Sequence, residues 1–232
     1  MRTEVIGDAT LHLGDCLTVL PGMRADAVIT DPPYSDRTHS GQCVGEQADG
    51  VYRNPLDYAA WSPEDVRRFA DVASVACEGW IVAKCDDVLA PAWDAALRAA
   101  GRYVFAPLPY FAPGSRVRLS GDGPSSWTIW IVAARTKALH KWGTLPGGYV
   151  RELGWDAPEK MGGKPVKLME HLIRDYSRAG QTVCDPCMGR GTTGIAALAM
   201  GRKFIGIERD PAEFERACER IQNSLRQERL FA

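Results

Sequence analysis

No apolar run in this chain of 232 residues approaches the roughly twenty residues of a membrane-spanning helix. The opening Met-Arg-Thr-Glu-Val-Ile-Gly-Asp lacks the apolar stretch of a signal peptide, and the expected location is cytoplasmic. No Gly-Lys-Ser/Thr phosphate loop is present, which argues against ATP. Metal-ligand spacing is also missing. Cys184 and Cys187 form a Cys-x-x-Cys, but no second pair and no histidine pair accompanies them, so no metal is expected. The seven cysteines are odd in number and scattered, which fits a reduced protein better than a disulfide scaffold. Lys and Arg number 28 against 29 Asp and Glu, so any attraction to phosphate must come from a local patch. There is no internal repeat and no low-complexity tract.

What is present is the composition of one soluble domain, 45% hydrophobic and 25% charged, long enough to bury a proper core. Strand and helix patterns alternate, which predicts an α/β fold with a mainly parallel sheet covered on both faces. Strands are expected at residues 27–30, 80–83, 103–105, 127–132, 182–184 and 204–207. Ser62-Pro63-Glu64-Asp65 starts a helix with a serine cap, a proline in the first turn and acids beside the free N–H groups. Its apolar stripe is Val66, Phe69, Ala73 and Ala76. Further helices are expected over 91–100, stopped by Gly101, over 166–178 and 192–200, and from a capping box at Asp210-Pro211-Ala212-Glu213.

Two stretches fit no element. Residues 35–61 are polar and too long for an ordinary connection, so they are expected to be functional or mobile. Residues 137–163 are rich in glycine and proline and read as a short loop region. Between Arg116 and Arg151 lie six basic residues (Arg116, Arg118, Arg135, Lys137, Lys141, Arg151) against one acid, Asp122, with Trp127, Trp130, Trp142 and Tyr149 among them. Two readings stand: a solvated face with buried aromatics, or a groove that contacts a phosphate backbone.

Two constellations carry chemistry. Asp185-Pro186-Cys187-Met188-Gly189-Arg190-Gly191-Thr192-Thr193 lies between a strand and a helix, where glycines allow close approach and the helix offers free N–H donors. The next strand ends in Glu208, 17 residues after Gly191, where an acid can accept hydrogen bonds from both ribose hydroxyls. A nucleoside cofactor is the reading of the pair; a purely structural turn is the reading of the loop alone. Asp31-Pro32-Pro33-Tyr34 ends another strand. Its carboxylate and the Pro32 carbonyl can accept the two hydrogens of a planar N–H₂ group while Tyr34 stacks on that group's face. The plainer alternative is a strand-end turn with a capping Asp.

Asp-Pro-Pro-Tyr resembles the catalytic motif of the S-adenosylmethionine-dependent DNA amino-methyltransferases, and residues 164–210 resemble their cofactor half in the permuted, beta-type order. Gly14-Asp15-Cys16 and Gly163-Lys164-Pro165-Val166 also stand where relatives have cofactor-side residues. The resemblance covers about residues 11–34 and 163–215. It implies a Rossmann-like class I methyltransferase fold, with a seven-stranded sheet and circularly permuted motif order. It implies catalytic roles for Asp31, Pro32, Pro33 and Tyr34. The implied cofactor residues are Asp15, Cys16, Asp31, Lys164, Pro165, Asp185, Pro186, Cys187, Gly189, Gly191, Thr192, Thr193 and Glu208. The implied activity is site-specific methylation of adenine N6 in DNA after base flipping, of the restriction-modification kind. Cytosine N4 is the alternative, since relatives acting on cytosine tend to have Ser at the position of Asp31. A protein-glutamine methyltransferase and an inactive DNA-binding regulator are the further alternatives. DNA is the expected partner. The 137–163 interval is short where larger relatives insert a recognition segment, so a short target sequence or a second copy of the chain is expected. Relatives usually carry Phe at the position of Cys187, a small residue at that of Arg190 and a His-Pro approach to the Lys-Pro pair; none of these departures removes a catalytic group.

Overall fold

The computed structural model describes residues 2–40, 45–46, 52–53, 58–116, 126–139, 141–151 and 166–231, with side chains described for all but 45–46, 52–53, 113–116, 126–128 and 228–231. The chain opens with a hairpin, β1 (Arg2–Ile6) and β2 (Ala9–Leu13), turned by Gly7 at φ 58°. The short helix α1 (Cys16–Val19) leads to β3 (Ala25–Thr30), then α2 (Asp36–Ser40) and the two-residue strands β4 (Gly45–Glu46) and β5 (Tyr52–Arg53). Next come α3 (Pro63–Ala76), β6 (Cys77–Cys85), α4 (Ala90–Ala99), β7 (Tyr103–Val104), β8 (Leu108–Arg116), β9 (Ser126–Arg135) and β10 (Tyr149–Val150). The chain closes with α5 (Val166–Tyr176), β11 (Thr182–Asp185), α6 (Thr192–Ala199), β12 (Lys203–Glu208) and α7 (Pro211–Phe231).

One sheet runs β1-β2-β12-β11-β3-β6-β9-β8-β10, with β7 paired to β9. The expected seven strands are the run from β2 to β8. The sheet holds ten, because β1, β7 and β10 extend it. β2, β12, β11, β3 and β6 are mutually parallel; β9 is antiparallel to β6, and β8 to β9. Alternate residues of each strand feed two cores, as the two-residue period of a strand requires. Ala27, Ile29, Trp80, Val82 and Phe204 pack with α5, α6 and α7; Val28, Ile81, Ala83 and Ile207 pack with α3 and α4. The fold is therefore α/β with helices on both faces.

Local chemistry explains the boundaries. Ser62 Oγ accepts from the Asp65 N–H and the Asp65 carboxylate accepts from the Ser62 N–H, which makes a full capping box at α3. At α7, Asp210 accepts from the N–H groups of Ala212 and Glu213, while the Asp210 N–H itself goes to Glu208. Gly101, at φ 82°, ends the turn after α4.

β3 is followed by α3 and β6 on one side, β11 by α6 and β12 on the other. The chain thus leaves the adjacent pair β3 and β11 in opposite directions. Crevices at the carboxyl ends of such a pair are where open α/β sheets bind ligands.

Candidate active site

Asp31 directly follows β3, and Lys84 lies on β6, the neighbouring parallel strand, whose Ala83 pairs with Thr30. Lys84 Nζ bonds Asp31 Oδ2 at 2.6 Å, and the two side chains are only 2% and 10% exposed. The Tyr34 hydroxyl donates to the other oxygen, Oδ1, at 2.8 Å. Each carboxylate oxygen therefore has one partner and keeps lone-pair capacity for another donor. Burial, then the neighbouring Asp31 charge, pushes the Tyr34 phenol well above its ordinary value, so it stays a donor.

The segment after the motif is anchored separately. The Asp86 carboxylate accepts from the Ser35 backbone N–H at 3.0 Å, from the Ser35 hydroxyl, from Thr38 Oγ1 at 2.5 Å and from the Leu89 N–H at 2.9 Å. Burial works to raise the Asp86 carboxyl, but these hydrogen bonds outweigh it and hold it below the usual aspartate value. At the other end of the 35–61 stretch, the Trp61 N–H bonds the Tyr34 carbonyl at 2.9 Å. Much of that stretch lies outside the described residues, so its expected mobility does too.

Across the switch point, Thr30 Oγ1 donates to Asp185 Oδ1 at 2.9 Å, tying β3 to the glycine-rich loop. Asp185 also accepts from the Cys187 N–H and, at 2.5 Å, from Thr193 Oγ1. Asp185 and Thr193 are fully buried. Both were expected at the cofactor; their hydrogen bonds join β3, the loop and α6. The loop itself is held by Met188 N–H on the Ile207 carbonyl and Gly191 N–H on the Met188 carbonyl. Gly191 caps α6 at φ 75°, and a side-chain carbon there would meet Ile221 at 3.1 Å and Ala217 at 3.3 Å, so conformation and space both require glycine. Gly206 on β12 leaves the room that Met188 fills; a side-chain carbon there would meet Met188 Sδ at 2.3 Å.

Glu208, at the end of β12, accepts from the Gly189 N–H at 2.9 Å with one oxygen and from the Arg209 and Asp210 N–H groups with the other. Its carboxylate is fixed beside the loop, as a ribose acceptor needs. Asp15 and Cys16 lie alongside, since Leu13 pairs with Glu208 and the Gly14 N–H bonds the Glu208 carbonyl. Asp15 also caps α1 through the Leu17 N–H. Arg190 pairs with Glu213 of α7 at 2.9 Å. Lys164 and Pro165 lie outside the described residues. Asp15, Cys16, Asp31, Gly189 and Glu208 are thus gathered at the carboxyl ends of neighbouring strands, with a glycine-backed loop and a helix N-terminus suited to a nucleoside bearing a charged tail.

The basic residues are not gathered. Arg135 pairs with Trp80 at the start of β6, while Lys84 pairs with Ile131. Arg135 is therefore four residues from the Lys84 level, about 14 Å at about 3.4 Å per residue, and Lys137 and Lys141 follow it away from the site. Its guanidinium stacks over Tyr103 at 4.7 Å. Arg116 and Arg151 stand at the opposite end: Arg116 pairs with Ser126, and the Arg151 N–H bonds Phe111. That end is level with Asp31 or beyond it. Arg118 lies outside the described residues. The antiparallel course of β9 thus separates Arg135 from Arg116 along the sheet. Tyr149 is buried and donates to Asp175, and Trp142 donates to the Asp175 carbonyl, so these two aromatics belong to the core.

Sequence reasoning missed Lys84 and Asp86. The signal for Lys84 was a cation inside an otherwise apolar strand, Trp80-Ile81-Val82-Ala83-Lys84-Cys85, since a buried charge needs a partner. For Asp86 no signal separates it from Asp87. Among the described residues no group of acids, cysteines and histidines is arranged to hold a metal ion.

These features define a Rossmann-like class I methyltransferase fold in permuted order. The model of the N6_N4_Mtase family, described as DNA methylase, matches residues 129–219. YubD, a candidate methylase of Escherichia coli (strain K12), is 29% identical over 84% of this chain and 82% of its own length. The type II methyltransferase M2.DpnII of Streptococcus pneumoniae is 30% identical over 44% of this chain, which spans 32% of that protein. Among solved structures, the complex of M1.HpyAVI with SAM superposes with a TM-score of 0.66 over 92% of this chain and 98% of that one, at 22% identity. The cytosine-N4-specific PvuII DNA methyltransferase gives 0.63 over 95% and 92%, at 15% identity. The chain is thus similar to the DNA methylase family over residues 129–219 and to YubD over most of its length, and it shares the fold of the solved DNA methyltransferases.

Proposed function

We propose that the protein transfers a methyl group from S-adenosylmethionine to N6 of adenine in DNA. The observation that carries this reading is the Asp31 carboxylate at the switch point, tied through Thr30 and Asp185 to the glycine-rich loop that faces Glu208. S-adenosylmethionine, when bound, supplies a methyl group on a positively charged sulfur. The protein's own residues prepare the acceptor. An adenine amino group is a poor nucleophile because its lone pair is delocalised into the ring. Hydrogen bonds from its two hydrogens to Asp31 and the Pro32 carbonyl favour tetrahedral geometry and localise that pair. Fixing donor and acceptor in line supplies much of the remaining acceleration. The base must leave the duplex to reach Asp31, at a cost of about a few kcal/mol, and stacking on Tyr34 offsets about 1–3 kcal/mol of it.

Asp rather than Ser at position 31 favours adenine. The cytosine-N4 reading keeps one support, the likeness of the PvuII enzyme, which extends over nearly the whole chain. The test is to incubate unmethylated plasmid with the protein and S-adenosylmethionine, digest to nucleosides and analyse by mass spectrometry. N6-methyladenine is the expected product. N4-methylcytosine as the main product contradicts the assignment to adenine, and no methylated nucleoside contradicts the activity.

A further inference from the structure

We infer that Lys84 is a positioning residue for methyl transfer, which fixes the orientation of the Asp31 carboxylate towards the incoming amine. This rests on the reading of Asp31 given above. Lys84 occupies the same face of β6 as the core residues Trp80 and Val82, where packing alone calls for an apolar side chain. Burying an ammonium there is unfavourable unless its charge is answered, and Asp31 answers it at 2.6 Å. At 2% exposure Lys84 does not reach a substrate, so its effect passes through Asp31.

The bonding pattern gives the pair a consequence for the acceptor. An ammonium only donates, so a carboxylate bonded to it stays an acceptor. With Lys84 on Oδ2 and Tyr34 on Oδ1, the carboxylate plane is held at both oxygens, and one further acceptor position on each is left for the base. Among the described residues, the other titratable groups that interact with Asp31 are Cys85 of β6 and Tyr34 on its own loop, with Asp185 of β11 bonded to the neighbouring Thr30. None of these is a cation. Asp86 holds the neighbouring segment by Ser35 and Thr38, a task separate from that of Lys84.

The experiment compares full-length wild type, Lys84→Met and Asp31→Ala in steady-state methyl transfer to plasmid DNA. Lys84→Met should lower kcat at neutral pH by about 30-fold or more while leaving KM for S-adenosylmethionine within about threefold. An unchanged kcat overturns the inference, and so does a loss of kcat accompanied by an equal rise in KM for S-adenosylmethionine. If Lys84→Met does not fold by circular dichroism, Lys84→Gln is scored by the same criteria, since its amide keeps a donor beside Asp31 without the charge. The control separates the two ideas. An active Asp31→Ala removes the functional reading itself, whereas an inactive Asp31→Ala beside a fully active Lys84 variant removes only the role of Lys84.

Discussion

Glu208 shows how one carboxylate can organise a site before any ligand arrives. Three backbone N–H groups, from Gly189, Arg209 and Asp210, hold it at the end of β12, and its remaining lone pairs are available to hydroxyl donors. Glu208→Ala should weaken S-adenosylmethionine binding by about 1.5–3 kcal/mol, the scale of charge-assisted hydrogen bonds. Isothermal calorimetry that gives an unchanged dissociation constant contradicts the ribose role. At this scale the sequence was legible where chemistry is contiguous. Asp31 to Tyr34 sit side by side, and Glu208 ends a recognisable strand. Lys84 was not, because its partner is 53 positions away and only the sheet register brings the two together. Asp185 and Thr193 close the two ends of the glycine-rich segment, in β11 and α6, and their full burial depends on how β3, β11 and α6 close over them.

Among the elements, the link from α2 to the β6 end has a titration of its own. Hydrogen bonds from Ser35, Thr38 and Leu89 hold the Asp86 carboxyl below its ordinary 3.8 against the opposing effect of burial. A group whose folded value is depressed stabilises the fold above its unfolded value and loses that contribution as pH falls through the folded one. The anchorage should therefore be complete above pH 3.8 and weaken below it. Hydrogen exchange at the Ser35 amide should quicken over that acid range in wild type, while Asp86→Asn should exchange fast already at neutral pH. Equal protection in both proteins contradicts the anchor. The longer elements were legible in the sequence: the α3 capping box, the apolar β6 and the helix that starts at Thr192 all appear where local pattern puts them. The β1–β2 hairpin and β8 were not read. The hairpin's turn is a plain Gly7-Asp8 signal that was passed over. β8 contains Pro109, Pro113 and Gly114, residues that break strand patterns, and it forms because β9 lies beside it to pair with.

For the molecule as a whole, the proposed action on DNA makes the two ends of the sheet testable separately. Arg116 and Arg151 stand at the end that carries Asp31, and Arg135, Lys137 and Lys141 at the other. Each phosphate contact contributes about one unit to the salt dependence of duplex binding. Arg116→Ala with Arg151→Ala should flatten the slope of log affinity against log salt by about two units, alike for all sequences. Lys137→Ala with Lys141→Ala should leave it unchanged. The reverse outcome places DNA on the far end, away from the switch point.

In the proposed reaction Asp31 acts on the acceptor amine while the loop and Glu208 hold the cofactor. The most direct test measures both properties on one variant. Asp31→Ala should bind S-adenosylmethionine within about tenfold of wild type by calorimetry, yet give no detectable methyl transfer to DNA in a single-turnover assay. Methyl transfer at a rate comparable to wild type contradicts the account.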